Sequence, residues 1–166
     1  MIVASRWCDN YKFEAFSAKK GICLVFYEKF ARKYFEEAEK DLKRALRSIE
    51  FEDYSESVFH SQQCVEKAVK AMIEAKRKYV YNHGPMLGTA FSDAFSDEWR
   101  DEFDRILDII GWFTEYYTRS RYPFLLRGEV VSPDEFIDRE VAEEALKRAR
   151  EVLGVARRYL EEKGIL

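Results

Sequence analysis

Phe59-His60-Ser61-Gln62-Gln63-Cys64-Val65-Glu66-Lys67-Ala68-Val69-Lys70-Ala71 is the stretch whose period decides the fold. Val58, Ser61, Val65, Ala68 and Met72 recur at helical spacing and make an apolar or small stripe. At about 100° per residue, Gln63, Glu66, Lys67 and Lys70 fall within a roughly 100° arc on the opposite side. An amide, a carboxylate and two ammonium groups therefore stand at i, i+3 and i+4 of one another, close enough to interact. The arc reads either as a solvated salt-bridge ladder or as a polar face with something to meet.

Working outward, the helix containing this stretch is expected from about 54 to 79, with Asn82-His83-Gly84-Pro85 as its stop, since Gly suits the position after a helix and Pro cannot continue one. Before it, a first helix is expected from about 28 to 49. Ala31, Phe35, Ala38, Leu42, Ala45, Leu46 and Ile49 form its inner stripe, and Glu36→Lys40 and Glu39→Lys43 are favourable outer pairs. Residues 84–96 read as a loop with room for a short helix at 88–95. Ser96 is the expected N-cap of a third helix, with Asp97 and Glu98 in its first turn and Trp99, Phe103, Ile106, Leu107, Ile110 and Phe113 as its core stripe. That helix is expected to end near Thr118, stopped by Ser120-Arg121-Tyr122-Pro123. Ser132-Pro133-Asp134-Glu135 has capping-box spacing, and Asp138 offers a second start for a fourth helix. Its core face is Val141, Ala145, Ala149, Val152, Leu153, Ala156 and Leu160, and Gly164 closes it.

Long helices joined by modest loops make the chain all-α, an antiparallel four- to five-helix up-and-down bundle over residues 28–166. Residues 1–27 lack helical period. Gly21 followed by Ile22-Cys23-Leu24-Val25-Phe26-Tyr27 reads as a short strand or an extended, irregular or β-like arm that docks on the bundle or on a second subunit.

Composition agrees. The 166 residues suit one domain with a full core, and 47% hydrophobic with 36% charged residues exclude disorder and a membrane protein. Only 3 Pro and 7 Gly leave few turns for a many-stranded fold. A net charge of −3 argues against a dedicated DNA-coating protein. The longest apolar run, Ile22 to Tyr27, is far too short to cross a membrane. Cys8, Cys23 and Cys64 are odd in number and match no metal spacing. They read as free thiols in a reducing cytoplasm.

Several chemistries are missing. His60 and His83 do not form a His-Glu-x-x-His or Glu-x-x-His pattern, and no Cys-x-x-Cys occurs, so no metal site is expected. No phosphate loop or nucleophile elbow is present, and no cofactor is expected. What remains is basic and aromatic. Arg119 and Arg121 sit at the exit of the third helix between Tyr117 and Tyr122, with Arg127 after them. Guanidinium groups grip phosphate bidentately and aromatic rings stack on bases, so Arg119, Arg121 and Tyr122, with Lys70, are the candidate nucleotide- or phosphate-binding residues. The alternative is that both arginines cap the last carbonyls of that helix and pair with acidic neighbours. Lys76, Arg77 and Lys78, beside Tyr79 and Tyr81, read as the positive end of the second helix.

Taken in order, the first-helix segment from Ala31 to Leu42, the stretch with Gln63, Glu66, Lys67 and Lys70, His83 in the following loop, and Arg121-Tyr122-Pro123 resemble the HEPN family, named for nucleotide binding in higher eukaryotes and prokaryotes. The resemblance covers roughly residues 30–160. It implies a four- or five-helix bundle that forms a homodimer and pairs with a minimal nucleotidyltransferase as a toxin–antitoxin-like couple. It also implies metal-independent ribonuclease chemistry, through an Arg followed after four to six residues by a His beyond the third helix. This chain departs from that pattern: Phe124, Leu125 and Leu126 stand at those positions after Arg119, and Leu126, Arg127 and Gly128 after Arg121. Arg77 and His83 have the nominal spacing but lie at the end of the second helix. The expected role is therefore a nucleotide- or RNA-phosphate-binding module. Alternatives are a ribonuclease using His83 as its only catalytic candidate, or a structural dimerisation bundle.

Overall fold

The computed structural model describes residues 20–80 and 83–166, with side chains from Phe26 onward. Six helices and one small ribbon follow in order: α1 (Lys20–Glu50), α2 (Tyr54–Ala75), α3 (Met86–Phe95), α4 (Asp101–Arg119), β1 (Phe124–Leu126), β2 (Glu129–Val131), α5 (Pro133–Phe136) and α6 (Arg139–Glu162). The long helices alternate in direction, and α2 is the hub, packing on α1, α3, α4, α5 and α6. The all-α bundle expected from period is the fold.

The apolar stripes explain the packing. Val58, Val65, Ala68 and Met72 of α2 are sealed, as are Ala31, Phe35, Ala38 and Ala45 of α1 and Ala145, Ala149, Val152, Ala156 and Leu160 of α6. Small residues at the α2–α6 seam let the two backbones approach closely. Larger rings fill the far end, where Phe91, Phe95, Phe103 and Tyr159 meet tilted or edge to face at 4.6–6.4 Å.

Several boundaries differ from expectation. The segment Ile22–Tyr27, read as strand or arm, is the first part of α1; a short apolar run carries no period to separate the two. Residues 1–19 of the expected arm lie outside the described residues. α2 ends at Ala75, one turn before the expected Tyr79, because Arg77 takes a left-handed conformation with φ 59°. Ser96 closes α3 rather than opening the next helix, and α4 starts only after the extended Arg100. Trp99 therefore stands outside the helix as an exposed residue. Asp97 and Glu98 instead hold Lys76, at 2.9 and 3.0 Å, while Lys78 donates to the last carbonyls of α3. Thus Lys76 and Lys78 tie α2 to α3; Tyr81 of the same patch lies outside the described residues.

Both proposed starts of the fourth helix are used. Ser132 and Glu135 form a capping box on the single turn α5, and Asp138 accepts the Val141 N–H at 2.9 Å to open α6. The β1–β2 ribbon is an addition to the expected bundle. Its two-residue turn, Arg127-Gly128, has both φ angles positive, 50° and 89°, the twist that suits a tight hairpin.

Candidate functional site

The polar arc of α2 is not a solvated ladder. Glu66 is 5% exposed and Lys70 4%, so the arc lies under neighbouring segments and its charges must be matched inside the fold. Two carboxylates organise it.

The first is Glu66. Lys70 Nζ donates to Glu66 Oε1 at 3.0 Å and Gln62 Nε2 to Oε2 at 3.1 Å, while Gln63 Nε2 donates back to Gln62 Oε1 at 2.8 Å. His83, carried in from the loop before α3, sets Nδ1 2.6 Å from Glu66 Oε1. The same nitrogen is 3.1 Å from Lys70 Nζ. So short a contact to a carboxylate needs a proton on Nδ1, so His83 donates to Glu66, and the lysine stands beside the ring as a charge without bonding it. Burial alone would push the Glu66 carboxyl up. The Lys70 charge and the hydrogen bonds from Lys70, His83 and Gln62 outweigh it and hold Glu66 ionised, below the usual range. The His83 side chain remains 63% exposed.

The second carboxylate, Asp41, projects from α1 and is 2% exposed. It accepts from Arg44 at 2.7 Å, from His60 Nδ1 at 3.2 Å and from Lys67. Burial opposes its charge. The hydrogen bonds from His60, Lys67 and Arg44 win and hold Asp41 far below the normal carboxylate range. Both histidines of the chain are thus held through Nδ1 by a buried carboxylate that also binds a lysine.

The arginines at the exit of α4 complete the surroundings. Arg121 donates from Nε and Nη2 to the Tyr117 carbonyl at 2.9 and 2.6 Å. Its guanidinium lies between the Phe59 ring at 5.2 Å and the Tyr117 ring at 4.5 Å. Nη1 is left without a hydrogen bond among the described residues. Arg119 pairs with Glu115 at 2.9 Å and stacks on Phe124 and Phe136 at 5.1 and 5.4 Å. Both arginines therefore cap or pair locally, the alternative that their spacing allowed, and Tyr122 projects into solvent.

Tyr117 joins the two halves. A Cβ placed on Gly84 would come within 3.0 Å of the Tyr117 ring, so only glycine lets the His83 loop lie this close. A shallow cleft results, with Gln62, Glu66, Gly84, Thr114 and Tyr117 around a floor of Val65, Leu87, Ile110 and Phe113. Of the residues singled out from sequence, Glu66, Lys70 and His83 meet here, with Gln63 attached through Gln62 and Arg121 through Tyr117. Lys67 belongs to the Asp41 cluster. Lys70 is enclosed, so it positions Glu66 and His83 and does not itself reach a ligand. Arg77 makes no ion pair among the described residues and does not join His83. No group of three His, Cys, Asp or Glu among the described residues could hold a metal ion, and no helix there is long and apolar enough to cross a membrane.

Sequence reasoning missed Asp41, His60 and Gln62. Asp41 carried a signal: it falls within the inner stripe of α1, three residues after Ala38 and four before Ala45. A charge at such a position must be paired.

The HEPN domain family model matches residues 31–159. The chain is 35% identical over 142 residues to "Putative toxin MJ1304" of Methanocaldococcus jannaschii, covering 83% of this chain and 93% of that protein. It is also similar to the crystal structure of TT1696 from Thermus thermophilus, with a TM-score of 0.60 and 28% identity over 80% of this chain and 97% of that one.

Proposed function

Because the chain belongs to the HEPN domain family, we propose that it is the toxin-side member of a toxin–antitoxin-like pair and binds an RNA or nucleotide phosphate on the face formed by His83, Gln62, Tyr117 and Arg121. The observation that carries this reading is His83. Its ring is held through Nδ1 by a buried carboxylate, its side chain is 63% exposed, and the neighbouring Gly84 packs on Tyr117, whose carbonyl and ring hold the Arg121 guanidinium. Phosphate would meet the His83 outer edge and Arg121 Nη1, and a base would stack on Tyr117 or Tyr122. A minimal nucleotidyltransferase is the proposed partner subunit, and the working unit is a homodimer. The test is fluorescence anisotropy with a short single-stranded RNA and with mononucleotides. His83→Ala should remain folded, with some loss of stability because Glu66 keeps Lys70 and Gln62 but loses one donor, and should bind at least tenfold more weakly. Wild-type protein that binds neither probe would overturn the reading and leave a structural dimerisation bundle.

A second reading, a metal-independent ribonuclease, is favoured by one feature. With Nδ1–H donated to Glu66, Nε2 carries the lone pair that a general base needs. Cleavage of RNA in the presence of chelator, abolished in His83→Ala, would support it. Tight binding without cleavage would end it.

A further inference from the structure

The polar row of α2 that starts at Glu66 does not end at Lys70. Glu66, Lys70 and Glu74 follow one another at i+4, so they stack along one side of the helix. All three are sealed, at 5%, 4% and 0% exposure. Tyr34 of α1 lies against the row, since its phenol feels the charges of both Glu74 and Glu66. Lys70 therefore stands between two carboxyl groups, one turn from each. Glu66 holds it at 3.0 Å, while neither oxygen of Glu74 has a hydrogen-bond partner. That choice has two local causes. A Glu four residues before a Lys pairs better than one four residues after it. Glu74 also sits in the last turn of α2, where the helix dipole disfavours a negative charge. Burial pushes its carboxyl up to about 7, and no charge from another element among the described residues offsets this. Below that pH the unpaired group is a neutral acid.

His83 bears on the same lysine from the other side. Its Nδ1 is 2.6 Å from Glu66 Oε1, the oxygen that Lys70 also uses, and 3.1 Å from Lys70 Nζ. A neutral ring tolerates that neighbour. The phosphate contact proposed above needs a proton on Nε2 as well as on Nδ1, because a lone pair repels an anion. The ring is then a cation beside an enclosed ammonium, where like charges interact strongly. One of the two must move, and Lys70 has an unused acceptor one turn further along α2.

We propose that Lys70 is a two-position lever that couples His83 to Glu74: anion binding at a protonated His83 sends Lys70 from Glu66 to Glu74, which gives up its proton. The ring takes a proton from solvent and Glu74 releases one to solvent. Imidazolium then pairs with Glu66 and Lys70 with Glu74, and the summed charge of Glu66, Lys70, His83 and Glu74 stays at zero. No buried carboxylate is left unpaired in either arrangement. Glu74 is thus a positioning residue, enclosed in the core, that sets how binding at the His83 face depends on pH. The inference rests on the phosphate-binding reading above and specifies its regulation.

The experiment is isothermal titration calorimetry of the full chain with the short single-stranded RNA, whose phosphodiesters do not titrate near neutrality, in buffers of differing ionisation enthalpy at pH 6.5. The wild type is compared with Glu74→Gln and Glu74→Leu, neither of which has a proton to release. Both variants should take up more protons per RNA bound than the wild type. The difference should approach the protonated fraction of Glu74, about three-quarters at pH 6.5 for a group that titrates at about 7. At pH 8.5, where Glu74 has already lost its proton, the difference should vanish. A merely structural role for Glu74 would leave the proton count unchanged. The field of a bound phosphate acting directly would change it in the opposite sense, because a nearby anion favours the protonated acid. Wild-type protein that binds no RNA overturns the phosphate-binding reading and the lever together. RNA binding with the same proton uptake in all three proteins at pH 6.5, or with the larger uptake in the wild type, overturns the lever alone.

Discussion

Replacing Glu74 with glutamine should reshape how stability depends on pH. Glu74 lies one turn beyond Lys70 on α2, at 0% exposure, and neither carboxylate oxygen has a hydrogen-bond partner. Lys70 is one turn away but already committed to Glu66, and the phenol of Tyr34, the neighbour from α1, is itself raised by burial and by the Glu74 and Glu66 charges. Burial pushes the Glu74 carboxyl up from 4.5 to about 7. The folded state therefore holds this proton more tightly than the unfolded chain. The associated stability is complete below about pH 4.5 and is lost progressively as pH rises through about 7. A rise of roughly two and a half pH units corresponds to about 3 kcal/mol, an order-of-magnitude figure. The glutamine has no proton to lose, and its amide meets the same apolar walls as the protonated acid. Wild type and Glu74→Gln should thus unfold in urea with similar free energies at pH 5. By pH 8 to 9 the variant should be the more stable by up to about 3 kcal/mol. Parallel stability curves for the two proteins from pH 5 to 9 would refute the reasoning, since they would mean that the Glu74 carboxylate is solvated or paired in the folded protein.

Other outcomes follow from the same network. Lys70→Met leaves Glu66 enclosed with only His83 and Gln62 against its charge and should cost about 3–5 kcal/mol in chemical denaturation, most of it recovered in the double variant Lys70→Met/Glu66→Leu. Gly84→Ala forces a side chain onto a φ of 55° and against Tyr117; it should destabilise by roughly 1 kcal/mol or more and shift the His83 ring resonances. Asp41, held ionised well below the normal range by His60, Lys67 and Arg44, contributes stability above its unfolded value of 3.8 that disappears as pH falls. Asp41→Asn should therefore show a shallower acid-unfolding transition than wild type when followed by circular dichroism from pH 5 to 2.

How much of this was legible depended on whether the deciding contact was local. Pro123, Gly164, the Ser132 capping box and the Asp138 cap act through their own backbone neighbourhood, and each could be read directly from spacing. The end of α2 turned on Arg77 adopting a left-handed conformation, which a non-glycine residue does not announce. The ribbon turn was hidden for the same reason, because Arg-Gly is not one of the usual pairs for two positive φ angles. The site failed to show itself at a different level. Period places Glu66 and Lys70 at the correct angle around α2 but says nothing of what covers that angle. Only the arrival of the His83 loop and the pairing of Asp41 with Lys67 and His60 turn an apparent surface ladder into buried ion pairs. That difference redistributes the candidate roles. Lys70 neutralises Glu66, Arg119 neutralises Glu115, and two Arg121 nitrogens hold the Tyr117 carbonyl. Three of the cations that spacing offered to a ligand are therefore wholly or partly occupied within the fold. Among the candidates that spacing offered, His83 combines a ring held by a buried carboxylate with a largely exposed side chain, which is why the proposed binding face is centred on it.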